Sequence, residues 1–237
     1  MNNPDSQTLH ITNGDSAAGL IRAAGFDGTV LPWRDPMHYG PFPQGLTVAQ
    51  TSDTSARFLA GDTHDLNTTQ QEFIKRDTTL ANYKQFPQTL LWFEHDLLDQ
   101  LQILQILSAI DDTANVSMIC IDQFEGVAEF RGLGQLSPAQ IASLYDSREP
   151  VTSAQLVQAK SLWALFCDSN PELLLAQIQH EPLLFAYLKR ALLRHFQEFP
   201  WSCDGLTRTE RQLLSLVSST INTPAKLFGA NMALEDA

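Results

Sequence analysis

The first half of the chain consists of short apolar runs that alternate with helical patterns. Residues 8–12 alternate between polar and apolar side chains, which is typical of a half-buried strand. Residues 89–93 are almost wholly apolar, as in a strand covered on both faces. Residues 17–24 and 97–110 carry good helix formers or apolar positions at helical spacing. This order predicts an α/β fold with an open, mostly parallel, Rossmann-like sheet and flanking helices.

Three further strands complete the predicted sheet. Residues 29–31 and 116–121 are short apolar runs, and residues 126–130 are predicted as a short fifth strand. A helix separates the first two strands along the chain, so they are expected to be parallel and joined by a right-handed crossover. Asp15 or Ser16 is expected to cap that helix.

From Ser137 onwards the apolar spacing is helical throughout. Most of the predicted helices follow a capping residue, with a proline or an acid just after it. The predicted starts are Ser137, Thr152 or Ser153, Asn170, Glu181 and Thr207. No strand is predicted after about residue 131. The change of pattern predicts an α/β domain with a ligand cleft at residues 1–132, followed by an all-α helical domain at residues 133–237.

The chain is acidic, and the acidity is unevenly shared. It has 237 residues, with 15 Lys and Arg against 27 Asp and Glu, a formal net charge of −12. A chain this acidic is not expected to bind nucleic acid or an anionic membrane with its whole surface. Residues 1–150 hold 8 basic and 19 acidic residues, a net of −11, whereas residues 151–237 hold 7 and 8, a net of −1. This asymmetry favours two units with different surfaces.

The sequence shows no targeting signal, no membrane span and no cysteine motif. No run of about 18 apolar residues is present, so no membrane span is expected. The first ten residues lack the basic and apolar regions of a secretory signal, and we therefore expect a cytoplasmic protein. The three cysteines are widely spaced and form no CxxC motif, and Cys120 and Cys167 are expected to be small core residues.

Polar side chains follow three consecutive strands of the predicted sheet at their carboxyl ends. In open parallel sheets, ligands bind outside these ends. The polar groups are Asn13-Gly14-Asp15-Ser16 after the first strand, Trp33-Arg34-Asp35 and His38 after the second, and Glu94-His95-Asp96 with Asp99 and Gln100 after the third. If the three strands are neighbours, these groups converge on one cleft, and this convergence is the main functional prediction.

Each group at the cleft has a predicted role. Asp15 and Asp35 are candidate general acids or bases, together with His10 inside the first strand. Arg34 is a candidate clamp for a phosphate or a carboxylate. The remaining candidate ligand-binding residues are Gly14, Ser16, Trp33, His38, Asp99 and Gln100.

Several of these residues have a structural explanation as an alternative to the functional one. Arg34 can instead form a salt bridge that staples its loop to the sheet, and His10 and Trp33 can be packing residues. Residues 94–99 offer carboxylate and imidazole ligands, which suit a divalent metal. Because adjacent residues rarely point at the same ion, no metal site is predicted.

The motifs around the first strands resemble known families. Gly14-Asp15-Ser16 is similar to the first block of GDS-type lipases and esterases, but the Gly-x-Asn-Asp block of that family is absent, so Ser16 is not predicted to be a nucleophile. A second resemblance, to a bacterial family known as domain of unknown function eighteen-thirty-five, covers roughly residues 8–122. It rests on Leu9-His10-Ile11, residues 14–19, Trp33-Arg34-Asp35, Gly40-Pro41, Leu91-Trp92-Phe93 and Asp99-Gln100. The resemblance implies a helical companion domain and brings no activity.

These patterns together predict a binding function. We expect a small anionic ligand, a nucleotide or a phosphorylated metabolite, at the strand ends, with a hydrolase or transferase as the enzymatic version. No GxGxxG or Walker pattern is present, and the sequence identifies no cofactor. The alternative is a non-catalytic regulatory or protein-interaction module with a helical partner-binding domain or a helix-turn-helix-like domain, and a homodimer is a separate expectation. The cations of the helical part are too sparse to predict nucleic-acid binding and are expected to form a solvated face: Lys189, Arg190, Arg194, Arg208 and Arg211.

Overall fold

The computed structural model describes residues 7–61, 65–217 and 221–235. A five-stranded sheet lies at its centre, formed by β1 (Thr8–Thr12), β2 (Thr29–Pro32), β3 (Gln88–Glu94), β4 (Val116–Ile121) and β5 (Glu149–Pro150). The strand order is β2-β1-β3-β4-β5, in which β1 to β4 are parallel and β5 is antiparallel. The predicted α/β fold with a mostly parallel sheet is therefore confirmed.

Ten helices accompany the sheet within the described residues. They are α1 (Asp15–Ala23), α2 (Val48–Ala60), α3 (Leu66–Ala81), α4 (Leu97–Ala109), α5 (Pro138–Ser143), α6 (Ser153–Phe166), α7 (Pro171–His180), α8 (Leu188–Phe196), α9 (Arg208–Leu216) and α10 (Pro224–Met232). None of these helices combines the length and the apolarity that crossing a bilayer requires.

Apolar side chains fill a layer on each face of the sheet. Leu9 of β1 belongs to the layer that α4, α6 and α8 cover, where Leu104 is fully buried. Trp92 of β3 belongs to the opposite layer, which α1 and α5 cover and where Ile21 is fully buried. Because β3 is covered on both faces, its four consecutive residues from Leu90 to Phe93 are all apolar.

Helix starts that the sequence predicts from local capping chemistry are confirmed in the second half of the chain. Three capping boxes are present, in each of which a hydroxyl accepts from the backbone N–H three residues on and the side chain there bonds back: Ser137 with Gln140, Thr152 with Gln155 and Thr207 with Glu210. Asn170 caps α7 by accepting from Glu172 N. All partners lie within one turn, so the sequence alone reveals them.

The predicted strand at residues 126–130 is wrong. That segment forms an isolated bridge between Phe124 and Val127. Both edges of β4 are already occupied, one by β3 and the other by β5. β5 lies in a region where the sequence predicts no strand. It has two residues and exists through its pairing with Ser117 and Met118 of β4, a contact with no local signal.

The predicted helix start at Glu181 is also wrong, because α8 begins at Leu188. Glutamine side chains of α6 bind the backbone of the intervening segment. Gln158 Oε1 accepts from Leu184 N at 2.7 Å, and Gln158 Nε2 donates to Pro182 O at 2.9 Å. These backbone groups are satisfied by α6 and therefore do not close a helical turn among themselves.

The predicted cap of α1 differs as well. Gly14 takes the N-cap position, and no side chain accepts a hydrogen bond from the first turn. The Asp15 carboxylate faces Arg34 instead, accepting from Nε at 2.8 Å and from Nη2 at 2.6 Å. The N-terminus of α1 consequently presents backbone N–H groups without a side-chain cap.

The division at residue 132 stays a prediction about domains. Side chains from both sides of that residue share one apolar layer, in which Leu104 of α4 packs with Leu162 of α6 and Leu188 of α8. The pairing of β5 with β4 also joins the two parts.

Candidate functional site

The carboxyl edge of the sheet has a topological switch point between β1 and β3. β1 continues through α1 to β2 on one side, whereas β3 lies on its other side and continues through α4. α1 and α4 belong to the layers on opposite faces of the sheet, so a crevice opens between the ends of β1 and β3. The order β2-β1-β3 confirms that the three polar strand ends are neighbours.

Three carboxylates meet at the end of β3. Glu94 is the last residue of that strand, Asp96 is the N-cap of α4, and Asp99 lies in the first turn of α4. One oxygen from each lies within 4.8 Å of the others. Asp99 Oδ2 accepts from Glu94 N at 2.6 Å, and Asp96 Oδ1 accepts from Asp99 N at 2.9 Å. The tight strand-to-helix turn therefore assembles this cluster, which we call the carboxylate triad.

Burial raises the pKa of every carboxylate in the triad, and repulsion between the charges adds to it for Glu94 and Asp99. Desolvation is the main cause that raises the pKa of Glu94 to about 7, and the Asp96 charge adds to it. Desolvation also raises the pKa of Asp96 and, more strongly, the pKa of the fully buried Asp99. Three negative charges this close together in a dry space are unfavourable unless protons or a cation compensate them.

A short loop closes one side of the crevice. Gly132, at a φ of +149°, packs against the Glu94 carboxylate, and Leu133 N donates to Glu94 Oε1. From the other side, Asn13 Nδ2 donates to the same oxygen at 3.4 Å. These residues and Ser16 surround a cavity of about 200 Å³ at the N-terminus of α1.

Arg34 lies at the carboxyl end of β2 and joins Asp15 there. Its backbone N–H donates to Asn13 O at 3.1 Å, and its φ is +57°, which is uncommon for a residue with a side chain. The two-pronged bond to Arg34 is the main cause that lowers the pKa of Asp15. These two predicted residues are thus brought together, as an exposed ion pair of a kind that contributes little to stability.

Asp35 and Trp33 lie away from Asp15, on the α4 side of the sheet. Asp35 is 2% exposed and is bound by Arg76 of α3 at 3.3 Å. Trp33 is also buried, and its indole N–H donates to Gln105 of α4 at 2.5 Å. The Arg76 guanidinium lies 4.2 Å from the centre of the Trp33 ring, so the two residues share one packed cluster.

His10 is buried on the α1 side of the sheet. Trp92 Nε1 donates to His10 Nδ1 at 3.1 Å, which places the ring proton on Nε2, 3.3 Å from Asp27 O. Asp15 is exposed beside Arg34, and Asp35 is buried beside Arg76 on the opposite face. The structure therefore does not bring the three predicted acid–base residues together.

The other predicted ligand-binding residues occupy several places. Gly14 and Ser16 lie at the N-terminus of α1. Gln100 is buried and donates to the backbone carbonyl at the end of β3 at 2.7 Å, so it supports the strand end that carries the triad. His38 lies near His195 of α8, and burial, followed by repulsion from His195, lowers the pKa of His38 to about 4. His38 is therefore neutral at physiological pH.

A cavity of about 480 Å³ lies beside the end of β3 and is lined by cationic side chains. The sequence predicts only a solvated face for these residues. They are Lys189, Arg190 and Arg194 of α8 and Arg208 of α9, and His95 and Asp96 line the same cavity. We call it the cationic groove. Arg190 and Arg194 are four residues apart, so the sequence alone could predict that they lie on the same face of a helix. Arg208 joins them only through the packing of α9.

Acidic side chains neutralise part of the charge around the groove. Arg194 pairs with Glu198 and binds Glu235 Oε2 at 2.7 Å. Arg211 of α9, which the sequence groups with these cations, binds Asp204 at 2.6 Å. Lys189 and Arg190 are exposed at the groove.

Neither a scan against models of protein families nor a search of curated proteins gives a match to this chain. The resemblance to domain of unknown function eighteen-thirty-five stays a prediction. The functional assignment below rests on geometry and charge.

Proposed function

We propose that this protein binds a small phosphate-bearing ligand, a nucleotide or a phosphorylated metabolite, in the cationic groove at the carboxyl end of β3. The observation that carries the proposal is the grouping of four cationic side chains, Lys189, Arg190, Arg194 and Arg208, around one cavity. The whole chain has only 15 Lys and Arg and a net charge of −12, so four of them around one cavity are a marked concentration, although Arg194 is paired with Glu198 and Glu235. A cluster of cations in an acidic protein favours the binding of an anion there.

The size and walls of the groove support the same ligand class. A volume of about 480 Å³ lies within the range of roughly 300–1,000 Å³ that small-molecule sites occupy. Leu97, Ala186 and Leu193 supply apolar wall, and arginine binds phosphate with two parallel hydrogen bonds. This mixture suits a ligand with an anionic group and a less polar body.

The enzymatic version of the proposal is a hydrolase or a transferase. His95 and Asp96 line the groove, and His95 Nε2 is buried without a hydrogen-bond partner among the described residues. An imidazole nitrogen and a carboxylate beside a bound phosphate are suited to transfer a proton. In this version they take the role that the sequence assigns to Asp15, Asp35 and His10. A Rossmann-like α/β domain at residues 1–132 then supplies the acid–base groups, and the helical domain supplies the cations.

The proposal predicts that phosphate binding depends on Lys189 and Arg190. Changing both residues to glutamine removes two charge-assisted contacts and is expected to weaken the binding of inorganic pyrophosphate and of nucleoside phosphates about tenfold or more. Isothermal titration calorimetry measures the dissociation constants. Added salt is expected to weaken the binding further, because the contacts are electrostatic.

Lys75→Gln is the matched control for these variants. Lys75 is exposed on α3, a helix that does not line the groove, and its replacement removes one positive charge, as each of the two groove substitutions does. We expect its affinity for pyrophosphate to equal that of the wild type. An equal loss in this control would reveal a general charge effect, and unchanged affinity in the groove variants would contradict the proposal.

A second candidate function, assembly with another copy of the chain, is favoured by apolar side chains on α9 and α10 and beside them. Five of these are at least 43% exposed: Leu214, Val217, Phe228, Met232 and Leu234. Exposed apolar patches mark interaction surfaces. Light scattering is expected to give twice the mass of one chain for the wild type and the mass of one chain for Phe228→Ser. Phe58→Ser, which removes an exposed phenylalanine of α2, is the control and should stay dimeric. A monomeric wild type would rule this candidate out.

A further inference from the structure

No lysine or arginine pairs with the carboxylate triad in the described part of the chain. The hydrogen bonds of the triad come from backbone N–H groups and from the Asn13 amide. Glu94 and Asp99 are 5% and 0% exposed. Buried carboxylates are normally paired with a cation or bound to a metal, and this cluster has no lysine or arginine partner among the described residues.

Asp35 is a buried carboxylate elsewhere in this chain that does have a cationic partner. It is 2% exposed, as buried as Glu94 and Asp99 of the triad, but Arg76 lies 3.3 Å away. The Arg76 guanidinium, which also binds Asp77 at 2.8 Å, compensates this buried carboxylate, whereas the three carboxylates at the end of β3 have no lysine or arginine partner among the described residues. The contrast indicates that another positive charge belongs at the triad.

Asp99 has an oxygen with unused bonding capacity. Its Oδ2 accepts from Glu94 N, whereas its buried Oδ1 has no hydrogen-bond partner in the described ranges. The Asn13 amide lies near enough to lower the pKa of Asp99, but its hydrogen bond goes to Glu94. A fully buried acceptor without a partner is costly, and this one lies where three carboxylates converge.

We propose that Glu94, Asp96 and Asp99 bind one divalent, oxygen-preferring metal ion at the end of β3. An all-carboxylate set suits Mg²⁺, Mn²⁺ or Ca²⁺ rather than the softer metals that cysteine and histidine select. Mg²⁺ binds oxygen at about 2.0–2.1 Å and Ca²⁺ at about 2.3–2.6 Å, so oxygens on opposite sides of one ion lie about 4–5 Å apart. The triad oxygens, all within 4.8 Å of one another, lie close enough together to contact one such ion.

The metal ion lies between the two cavities at this edge of the sheet. Glu94 lines the cavity beside α1, and Asp96 lines the cationic groove. The inference stands without a ligand in the groove, because it rests on the triad and is tested with metal alone.

Titration of the full chain with Mn²⁺ near neutral pH tests this site, with the electron paramagnetic resonance signal of free Mn²⁺ as the readout. We expect one tightly bound ion per chain, displaced by Mg²⁺ or Ca²⁺, and a higher Tm with the ion than without it. Asp99→Asn and Glu94→Gln keep the shape of the side chain and remove its charge. Each is expected to weaken Mn²⁺ binding about tenfold or more, since even residues behind a metal ligand have effects of that size.

Asp65→Asn is the matched control. Asp65 caps α3 as Asp96 caps α4, accepting from Thr68 N at 3.0 Å, and it is exposed. Its affinity for Mn²⁺ should equal that of the wild type. No Mn²⁺ binding by the wild type, or several weak sites that both triad variants retain, would overturn the inference. Circular dichroism checks that each variant folds. If Asp99→Asn does not fold, the Mn²⁺ affinity of Glu94→Gln alone tests the site. Mn²⁺ binding without pyrophosphate binding would leave the metal site standing and contradict the proposed function.

Discussion

Replacing Arg76 by methionine is expected to lower the free energy of unfolding by about 3–5 kcal/mol, because it leaves the buried Asp35 without its cation. Arg76 and Asp35 have side chains only 5% and 3% exposed, and their closest atoms are 3.3 Å apart. Arg76 Nη2 also donates to Ser52 Oγ at 2.8 Å, and the guanidinium lies 4.2 Å from the centres of the Trp33 and Phe73 rings. Urea unfolding measures the loss.

The loss in Arg76→Met is expected to depend on pH. Burial already raises the pKa of Asp35, and removing the guanidinium raises it further. A carboxyl group with a raised pKa in the folded state stabilises that state below its unfolded pKa, and this contribution disappears as the pH rises through the folded pKa. The variant should therefore lose more stability at mildly alkaline than at mildly acidic pH.

Two further variants separate the ion pair from the loss of an arginine. Arg76→Met combined with Asp35→Asn removes both charges of the buried pair and should recover part of the lost stability, since the contact of Arg76 with the half-buried Asp77 is still lost. Arg57→Met breaks the exposed pair with Asp53 and should cost less than about 1 kcal/mol. If Arg76→Met costs no more than Arg57→Met, the buried pair does not stabilise the fold, and a catalytic role for Asp35 regains support.

Replacing Gly132 by alanine is expected to lower the free energy of unfolding by about 2–4 kcal/mol. Its φ of +149° and ψ of +167° lie in a region that only glycine adopts readily. An added Cβ would also lie 2.3 Å from Glu94 Oε2. The carboxylate cannot withdraw easily, since it is buried and accepts hydrogen bonds from Leu133 N and Asn13.

Gly126→Ala is the matched control for Gly132→Ala. Gly126 also has a positive φ, of +83°, but an added Cβ would meet nothing within 4 Å. Thermal and urea unfolding of both variants therefore separate backbone strain from the clash with Glu94. If the two variants lose equal stability, the loop at Gly132 does not press on the triad, and the crevice is looser than its contacts indicate.

The cationic groove and the carboxylate triad place opposite charges at one edge of the sheet. Asp96 belongs to both, as a member of the triad and as a residue that lines the groove. Metal ions in phosphate sites neutralise charge and orient the phosphate. If both proposals hold, bound Mn²⁺ should strengthen the binding of pyrophosphate to the groove. Titrating pyrophosphate in the presence and in the absence of Mn²⁺ measures this coupling.

Elements whose signals are local were predictable from the sequence. The strand at residues 8–12, the apolar β3 and the long α4 follow from hydrophobic periodicity, and the caps Ser137 and Thr207 follow from side chains that reach only one turn. The shared edge of the three strand ends was also predictable, because parallel strands joined by helices end at one edge of a sheet, whereas their adjacency followed only from the strand order.

What the sequence alone determined was the α/β class, most helix starts and the edge of the sheet where polar groups collect. The tertiary structure decided which of those groups meet. Asp35 pairs with Arg76, 41 residues away, Arg208 joins α8 through helix packing, and two glutamines of α6 bind the backbone of the segment before α8. Periodicity and capping are set within one helical turn or along one strand. The partner of a buried charge is set by which distant side chain the fold places within a few ångströms, and no local pattern records that choice.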